Sequence, residues 1–171
     1  MRPFFESSLL TDLYQFTMAQ SYLKTGVMEE ACFEFFVRSL PRDRRYLVCA
    51  GLTEVAEFLR TFSFTPEELD YLNTTGLFDR DFLDYLSGLR FNGDLYSVRE
   101  GEIVFPHEPI CQVVAPLPVA QLMETRIINI LHYCVMVASK ASRVTQVAPQ
   151  KTVVDFGLRR AHGGEAGLWA A

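Results

Sequence analysis

The sequence predicts an α+β fold: an N-terminal domain over residues 1–150 that mixes helices with strands, then over residues 151–171 the opening of a second, α/β unit. Three observations predict it. Helix-start signals and 3.6-residue periodicity recur through the first 90 residues, interrupted by a stretch of strict alternation. A β-rich passage follows and ends in prolines that launch the longest apolar tract. Last, Thr152-Val-Val-Asp155 runs straight into Phe156-Gly-Leu-Arg-Arg-Ala-His162-Gly-Gly, the pattern of a buried strand delivering polar groups to its carboxyl-end loop.

The elements justify themselves in order. Asp12 is placed to cap a first helix with Gln15 reaching back as in a capping box, and Gly26 is its stop. Leu13, Phe16, Ala19 and Leu23 share one face, while Tyr14, Met18 and Tyr22 form a second stripe suited to core or subunit contact. Ala31 to Ser39 alternates Phe33, Phe35 and Val37 with Cys32, Glu34, Phe36 and Arg38 and ends at Pro41. The run Arg42-Asp-Arg-Arg45 is a loop, either solvated or touching phosphate. Tyr46 to Cys49 reads as a second strand, and Leu52, Val55, Ala56 and Leu59 place a helix after Gly51.

Thr65-Pro-Glu-Glu68 joins an N-cap, a first-turn proline and a capping-box glutamate, the clearest helix start in the chain. Another short helix spans Asp81 to Ser87. Strands follow at Asp94 to Val98, Ile103 to Phe105 and Ile110 to Val114, with His107 in a surface turn. Val119 to Val147 is apolar on most sides but holds Glu124, Arg126, Asn129 and His132, so it reads as a buried helix and no bilayer span, with His132 a satisfied core histidine. Lys140 and Arg143 sit at its polar end, where they favour the helix dipole and could turn toward an anion. Glu165 to Ala171 reads as a first helical turn with no stop, and one strand with half a helix cannot make a parallel sheet, so the second domain is expected to be only begun.

Composition narrows the function. The 171 residues are 49% hydrophobic and 13% aromatic, enough for a packed core. A net charge of −5 leaves no footprint for nucleic acid or an anionic membrane. From Ser139 onward, however, five basic residues face two acidic ones, so an anionic ligand is drawn to that end. Arg159 and Arg160 each present a fork of donors to phosphate or carboxylate, and the flanking glycines admit backbone N–H groups to the same anion. The other reading is a turn with solvated arginines. Cys32, Cys49, Cys111 and Cys134 have neither paired spacing nor adjacent histidines, so they read as reduced core thiols of a cytoplasmic protein with no metal site. Arg2 and Glu6 precede any long apolar run, which argues against a signal peptide.

The motifs Leu10-Thr-Asp-Leu-Tyr-Gln15, Phe33-Glu-Phe-Phe-Val-Arg38, Ala50-Gly51-Leu52, Glu68-Leu-Asp-Tyr-Leu72, Phe82-Leu-Asp-Tyr-Leu86, Glu100-Gly101 and Asp155-Phe-Gly-Leu-Arg-Arg-Ala-His162 together resemble nicotinate phosphoribosyltransferase, a likeness that runs through almost the whole chain. The resemblance implies the N-terminal domain of a type II phosphoribosyltransferase and the first βα unit of its incomplete α/β barrel. It implies joining of nicotinate to 5-phosphoribosyl 1-pyrophosphate, a glycosyl transfer giving nicotinate mononucleotide and pyrophosphate, with Mg²⁺ on the pyrophosphate oxygens and ligase-like coupling to ATP.

By resemblance, Phe156 stacks on one face of the pyridine ring, and Tyr14 of a second subunit of a homodimer stacks on the other, with Asp12 beside it. Arg159 matches an arginine that contacts the ligand's anionic groups; Arg160 and His162 belong to the same motif. The phosphorylated histidine of the ATP step is expected beyond Ala171, so no catalytic residue is assigned here and the 171 residues alone are expected to be inactive. A different class of function stays open: a non-catalytic dimerisation or binding module derived from a pyridine phosphoribosyltransferase.

Overall fold

A computed structural model describes residues 6–40 and 42–171. The strand end expected at Pro41 and the leader reading at Arg2 lie outside the described residues. The order is α1 (Leu13–Thr25), β1 (Glu30–Phe36), β2 (Leu47–Val48), α2 (Leu52–Thr61), α3 (Pro66–Thr74), α4 (Arg80–Gly88), β3 (Asp94–Ser97), β4 (Ile103–Val104), β5 (Pro109–Pro116), α5 (Leu117–Val147) and α6 (Gly164–Ala170), with a 3-10 turn over Leu158–Arg160. Helix and sheet are mixed as the sequence predicts.

Strand β5 is the centre of a three-stranded antiparallel sheet, flanked by β1 and β3, and Val113 stands opposite both Phe33 and Leu95. Its Ile110, Cys111, Val113 and Ala115 are buried, which is why this stretch needs apolar residues at almost every other position. Strands β2 and β4 form a separate antiparallel pair. The chain passes from β5 directly into α5, which is buried against α1, β1, β2 and α2 through Leu131, keeps Val135 and Ser139 covered, and then runs out into solvent.

The helices of the first half are joined by a run of aromatic rings. Phe16 of α1 lies 5.9 Å from Phe64 and 5.8 Å from Phe78, and Phe78 lies 5.6 Å from Phe82 of α4. Burying each such ring contributes about 1.5–3 kcal/mol. Gly26 ends α1 at φ +72°, its N–H on the Leu23 carbonyl and that of Val27 on Tyr22, a Schellman stop. Lys24 and Gln20 then fasten α1 to α4 through Asp79. Lys24 Nζ lies 2.6 Å from Asp79 Oδ2, Gln20 Oε1 accepts the Asp79 N–H at 2.9 Å, and Asp79 Oδ1 caps α4 by accepting the Phe82 N–H at 3.0 Å. Lys24 first, and the capping N–H second, hold the Asp79 carboxyl below its ordinary range, so this tie is complete at neutral pH and is lost as acid takes the pH down through that lowered value.

Two distant motifs meet at the start of α2. Gly51 adopts φ +98°, and Glu100 Oε1 accepts the N–H groups of Gly51, Leu52 and Thr53 at 3.1, 2.6 and 3.2 Å, a carboxylate at the positive end of the helix. A Cβ on Gly51 would stand 2.8 Å from Cys134 Cβ, so the glycine also sets how closely α2 approaches α5.

Several expectations need correction. The Asp12–Gln15 capping box is not formed: Asp12 has cap-like backbone angles but makes no side-chain cap, because Gln15 is drawn completely into the seam with α5. Leu13 faces solvent at 56% exposure, and Tyr14 and Met18 are also open, so their stripe is not core. Helix α4 starts at Arg80 because Asp79 caps it, one residue before the start expected from the pattern. The strand expected over Thr152 to Phe156 has no ladder: the strands among the described residues pair within the two antiparallel sheets, and an extended segment with no neighbour leaves its N–H and C=O groups to water. The helix after it is present as α6 and docks on α5.

Candidate functional site

The first helix brings two of the expected residues together. Tyr14, 45% exposed, and Asp12 open onto a cleft of about 490 Å³ whose remaining wall is α5: Thr125, Ile128, Asn129, His132 and Tyr133. Asp12 Oδ2 accepts a hydrogen bond from Thr125 Oγ1 at 3.1 Å. His132 is exposed and lines this cleft, which corrects its reading as a core histidine. Thr125, Asn129 and His132 follow one another at i, i+4 and i+7, so the signal was present as a polar stripe within a helix read as apolar on most sides.

The loop after α5 brings together two more, Arg160 and His162. Asp155 Oδ1 accepts the Gly157 N–H at 2.6 Å, an Asx turn that leads into the 3-10 turn carrying Arg159 and Arg160. A hollow of about 270 Å³ is lined by Tyr133, Asp155, Gly157, Arg160 and His162, among others. Helix α6 closes over it because Gly167 has no side chain: a Cβ there would meet Leu158 Cδ1 at 2.4 Å. The Tyr133 hydroxyl donates to the Ala166 carbonyl, and its ring lies 6.0 Å from that of Trp169. Tyr133 therefore stands in the wall of both hollows, with Asp12 and Tyr14 on one side and Arg160 and His162 on the other.

Phe156 and Arg159 join neither hollow. The Phe156 ring is 86% exposed and Arg159 is also open, so within one chain both project outward. An exposed phenyl ring and an exposed guanidinium carried on one short segment are groups that a flat anionic ligand could use if a second surface closed over them. Lys140 and Arg143 are exposed on the outer part of α5, away from these hollows. In the Arg42–Arg45 loop, Arg44 Nη1 points at Met136 Sδ, 3.3 Å away.

The charge beneath α6 was not anticipated as part of this region. Arg126 is buried, donates to Asn129 Oδ1 at 2.6 Å and lies 3.7 Å from Glu165 of α6. Burial pulls its guanidinium below the usual value while Glu165 opposes the shift. No signal in local spacing could have found this pair, since its members belong to different helices.

The thiols divide by position. Burial pushes Cys49 up to about 12 and Cys111 and Cys134 up to about 11, whereas Cys32 lies on the exposed side of β1, against its reading as a core residue. A neutral thiol is a poor nucleophile. In the folded chain Cys32 is therefore expected to react with a thiol reagent at pH 8 in an early phase of one equivalent, with the other three reacting only on unfolding; mass spectrometry of the labelled peptides checks this, and early labelling at Cys49 would contradict it. Among the described residues no three His, Cys, Asp or Glu side chains gather as metal ligands, and no helix is long and apolar enough to cross a membrane.

Comparison with known proteins gives this arrangement a context. Residues 9–132 match the model of the nicotinate phosphoribosyltransferase N-terminal domain. The nicotinate phosphoribosyltransferase pncB2 of Mycobacterium tuberculosis is 47% identical over 159 residues, covering 93% of this chain and 34% of its own length. That of Bacillus subtilis is 47% identical over 165 residues, covering 96% of this chain and 34% of its own. The crystal structure of human nicotinic acid phosphoribosyltransferase superposes with a TM-score of 0.85 at 36% identity, covering 94% of this chain and 33% of the human one. Nicotinate-nucleotide pyrophosphorylase from Pyrococcus furiosus shares the fold, with a TM-score of 0.71 at 20% identity over 98% of this chain and 39% of that one. The chain thus spans about a third of the length of the curated relatives it matches. With the family's N-terminal model covering α1 through the first half of α5, this chain belongs to the nicotinate phosphoribosyltransferase family.

Proposed function

We propose that these residues form part of a nicotinate phosphoribosyltransferase of NAD biosynthesis, acting in the cytoplasm, and that they supply the aromatic and cationic walls of a pyridine site shared between two subunits. The observation that carries this reading is the exposure of Phe156 and Arg159: a phenylalanine 86% exposed and, three positions on, an exposed arginine, neither of which lines a hollow of its own chain. A homodimer in which the partner's Tyr14 closes over Phe156 would sandwich the ring of nicotinate. Arg159 would then hold an anionic group, Asp12 would flank the tyrosine, and Arg160 and His162 would line the adjoining hollow with Asp155.

In the reaction, nicotinate nitrogen displaces pyrophosphate from C1 of 5-phosphoribosyl 1-pyrophosphate, giving nicotinate mononucleotide. The walls described here contribute by fixing the ring in line with that carbon and by excluding water from its faces. Mg²⁺ and ATP are proposed for the complete enzyme, Mg²⁺ to neutralise charge on the departing pyrophosphate. The described residues gather no ligand cluster for a metal, so no step is assigned to either in this part of the chain. The proposed first βα unit of a barrel would be residues 151–171, whose extended segment lacks a sheet neighbour here.

Trp169 packs against Tyr133 and reports on this region. Titrating nicotinate in the presence of phosphoribosyl pyrophosphate is expected to change its fluorescence, with Phe156→Ala and Arg159→Ala each weakening the response about tenfold or more, as loss of a ring stack or a charged fork of roughly 1–3 kcal/mol requires. No response in the wild type, equal to that of Arg159→Ala, favours the non-catalytic module. The 171 residues alone are expected to form no nicotinate mononucleotide; robust turnover would overturn that part of the reading.

A further inference from the structure

The residue beside Tyr14 is buried where the first turn of a surface helix is ordinarily solvated. Gln15 has no exposed surface, and its amide joins α1 to α5. Its NH₂, with two hydrogens to share among three acceptors, lies 2.8 Å from Thr125 Oγ1, 2.9 Å from Tyr14 Oη and 3.2 Å from Glu124 Oε2. Gln121, also buried, donates from Nε2 to Gln15 Oε1 and to Glu124 Oε2, the latter at 3.0 Å. Thr125 Oγ1 in turn donates a hydrogen bond to Asp12 Oδ2 at 3.1 Å.

Glu124 sets the direction of this network. A carboxylate only accepts, so both glutamines must turn their NH₂ edges toward it, which leaves the Gln15 carbonyl edge for Gln121 and its NH₂ edge for Tyr14 and Thr125. The Tyr14 oxygen is then an acceptor within the network. Its own O–H proton is left to donate away from the seam. One amide buried at 0% exposure thereby reaches both residues that α1 contributes to the cleft, Tyr14 directly and Asp12 through Thr125.

We propose that Gln15 is a positioning residue, holding the Tyr14 ring and the Asp12 carboxylate in the orientation in which they line the cleft, with Gln121 and Glu124 fixing the amide that does so. This rests on the reading that Tyr14 serves as one face of a pyridine site. A tyrosine with nearly half its surface in water and no tie would sample several rotamers, and a platform ordered before the ligand arrives lowers the ordering cost of binding.

The test uses the 171-residue chain labelled with 3-fluorotyrosine, the Tyr14 resonance being assigned by its loss in Tyr14→Phe. In Gln15→Met the Tyr14 fluorine signal is expected to move more than half of the way to the position of free 3-fluorotyrosine, while the other six tyrosine signals stay in place. Gln121→Met, which keeps the Gln15 amide but removes its anchor, is expected to move the same signal in the same direction by a smaller amount. A folded Gln15→Met whose Tyr14 signal is unmoved overturns the proposal. Should Gln15→Met fail to fold by circular dichroism, Gln121→Met decides: no shift there refutes it. A purely structural role would move many tyrosine signals or none in preference to Tyr14. Nicotinate added to the wild type is read separately, since absence of any nicotinate response sinks the ligand reading and leaves the Gln15 shift standing or falling by itself.

Discussion

Phe16→Ala is expected to destabilise the chain by about 3–5 kcal/mol, the range for emptying a closed aromatic site in a core. Phe16 is 4% exposed and stands between two other rings, 5.9 Å from Phe64 and 5.8 Å from Phe78. Those rings come from the segment between α2 and α3 and from the segment leading into α4, so the void would open where three separate parts of the chain meet and none could collapse into it without dragging its helix. The same ring seats the helix that carries Tyr14 and Asp12. Urea unfolding followed by far-ultraviolet circular dichroism should show the midpoint falling at unchanged slope. A loss under about 1 kcal/mol would mean that the helices close the gap.

Glu68→Ala should be the most damaging polar substitution, at about 2–4 kcal/mol. Glu68 is only 8% exposed and serves two jobs at once. Its Oε2 accepts the Thr65 N–H at 2.8 Å, one half of the capping box whose other half is the Glu68 N–H on Thr65 Oγ1 at 3.3 Å. Its Oε1 accepts the Ser8 N–H at 3.1 Å and the Ser7 hydroxyl at 2.6 Å, tying the segment before α1 to the start of α3. Alanine leaves these donors without their acceptor. Glu68→Gln keeps the shape and one accepting oxygen, so it should lose roughly half as much by the same unfolding measurement. Equal losses for the two would show that packing, and not accepted hydrogen bonds, is what Glu68 contributes.

The contrast between these residues and others shows what a sequence can and cannot disclose. Thr65 to Glu68 was legible because both partners lie within three residues of each other, and the alternation of β1 was legible because a sheet face imposes period two on its own strand. Gln15 was misread because the groups that pull it inward, Gln121 and Thr125, are 106 and 110 residues away. His132 was misread because the average apolarity of α5 hid the side on which it lies with Thr125 and Asn129. The segment from Thr152 to Phe156 has the composition of a strand, but a strand exists only when something pairs with it, and composition does not supply the partner. Of the site residues, the sequence identified Asp12 and Tyr14 in one cluster and Arg160 and His162 in another; that a single α5 side chain, Tyr133, separates the two is a property of the packing.

Gly51 carries a consequence for how this fold tolerates variation. Its φ of +98° excludes side chains on conformational grounds, and the 2.8 Å approach to Cys134 Cβ excludes them on steric ones. Only glycine at position 134 would remove the Cβ that it meets, and the torsional penalty would remain. Position 51 is thus closed to repair by any single compensating change.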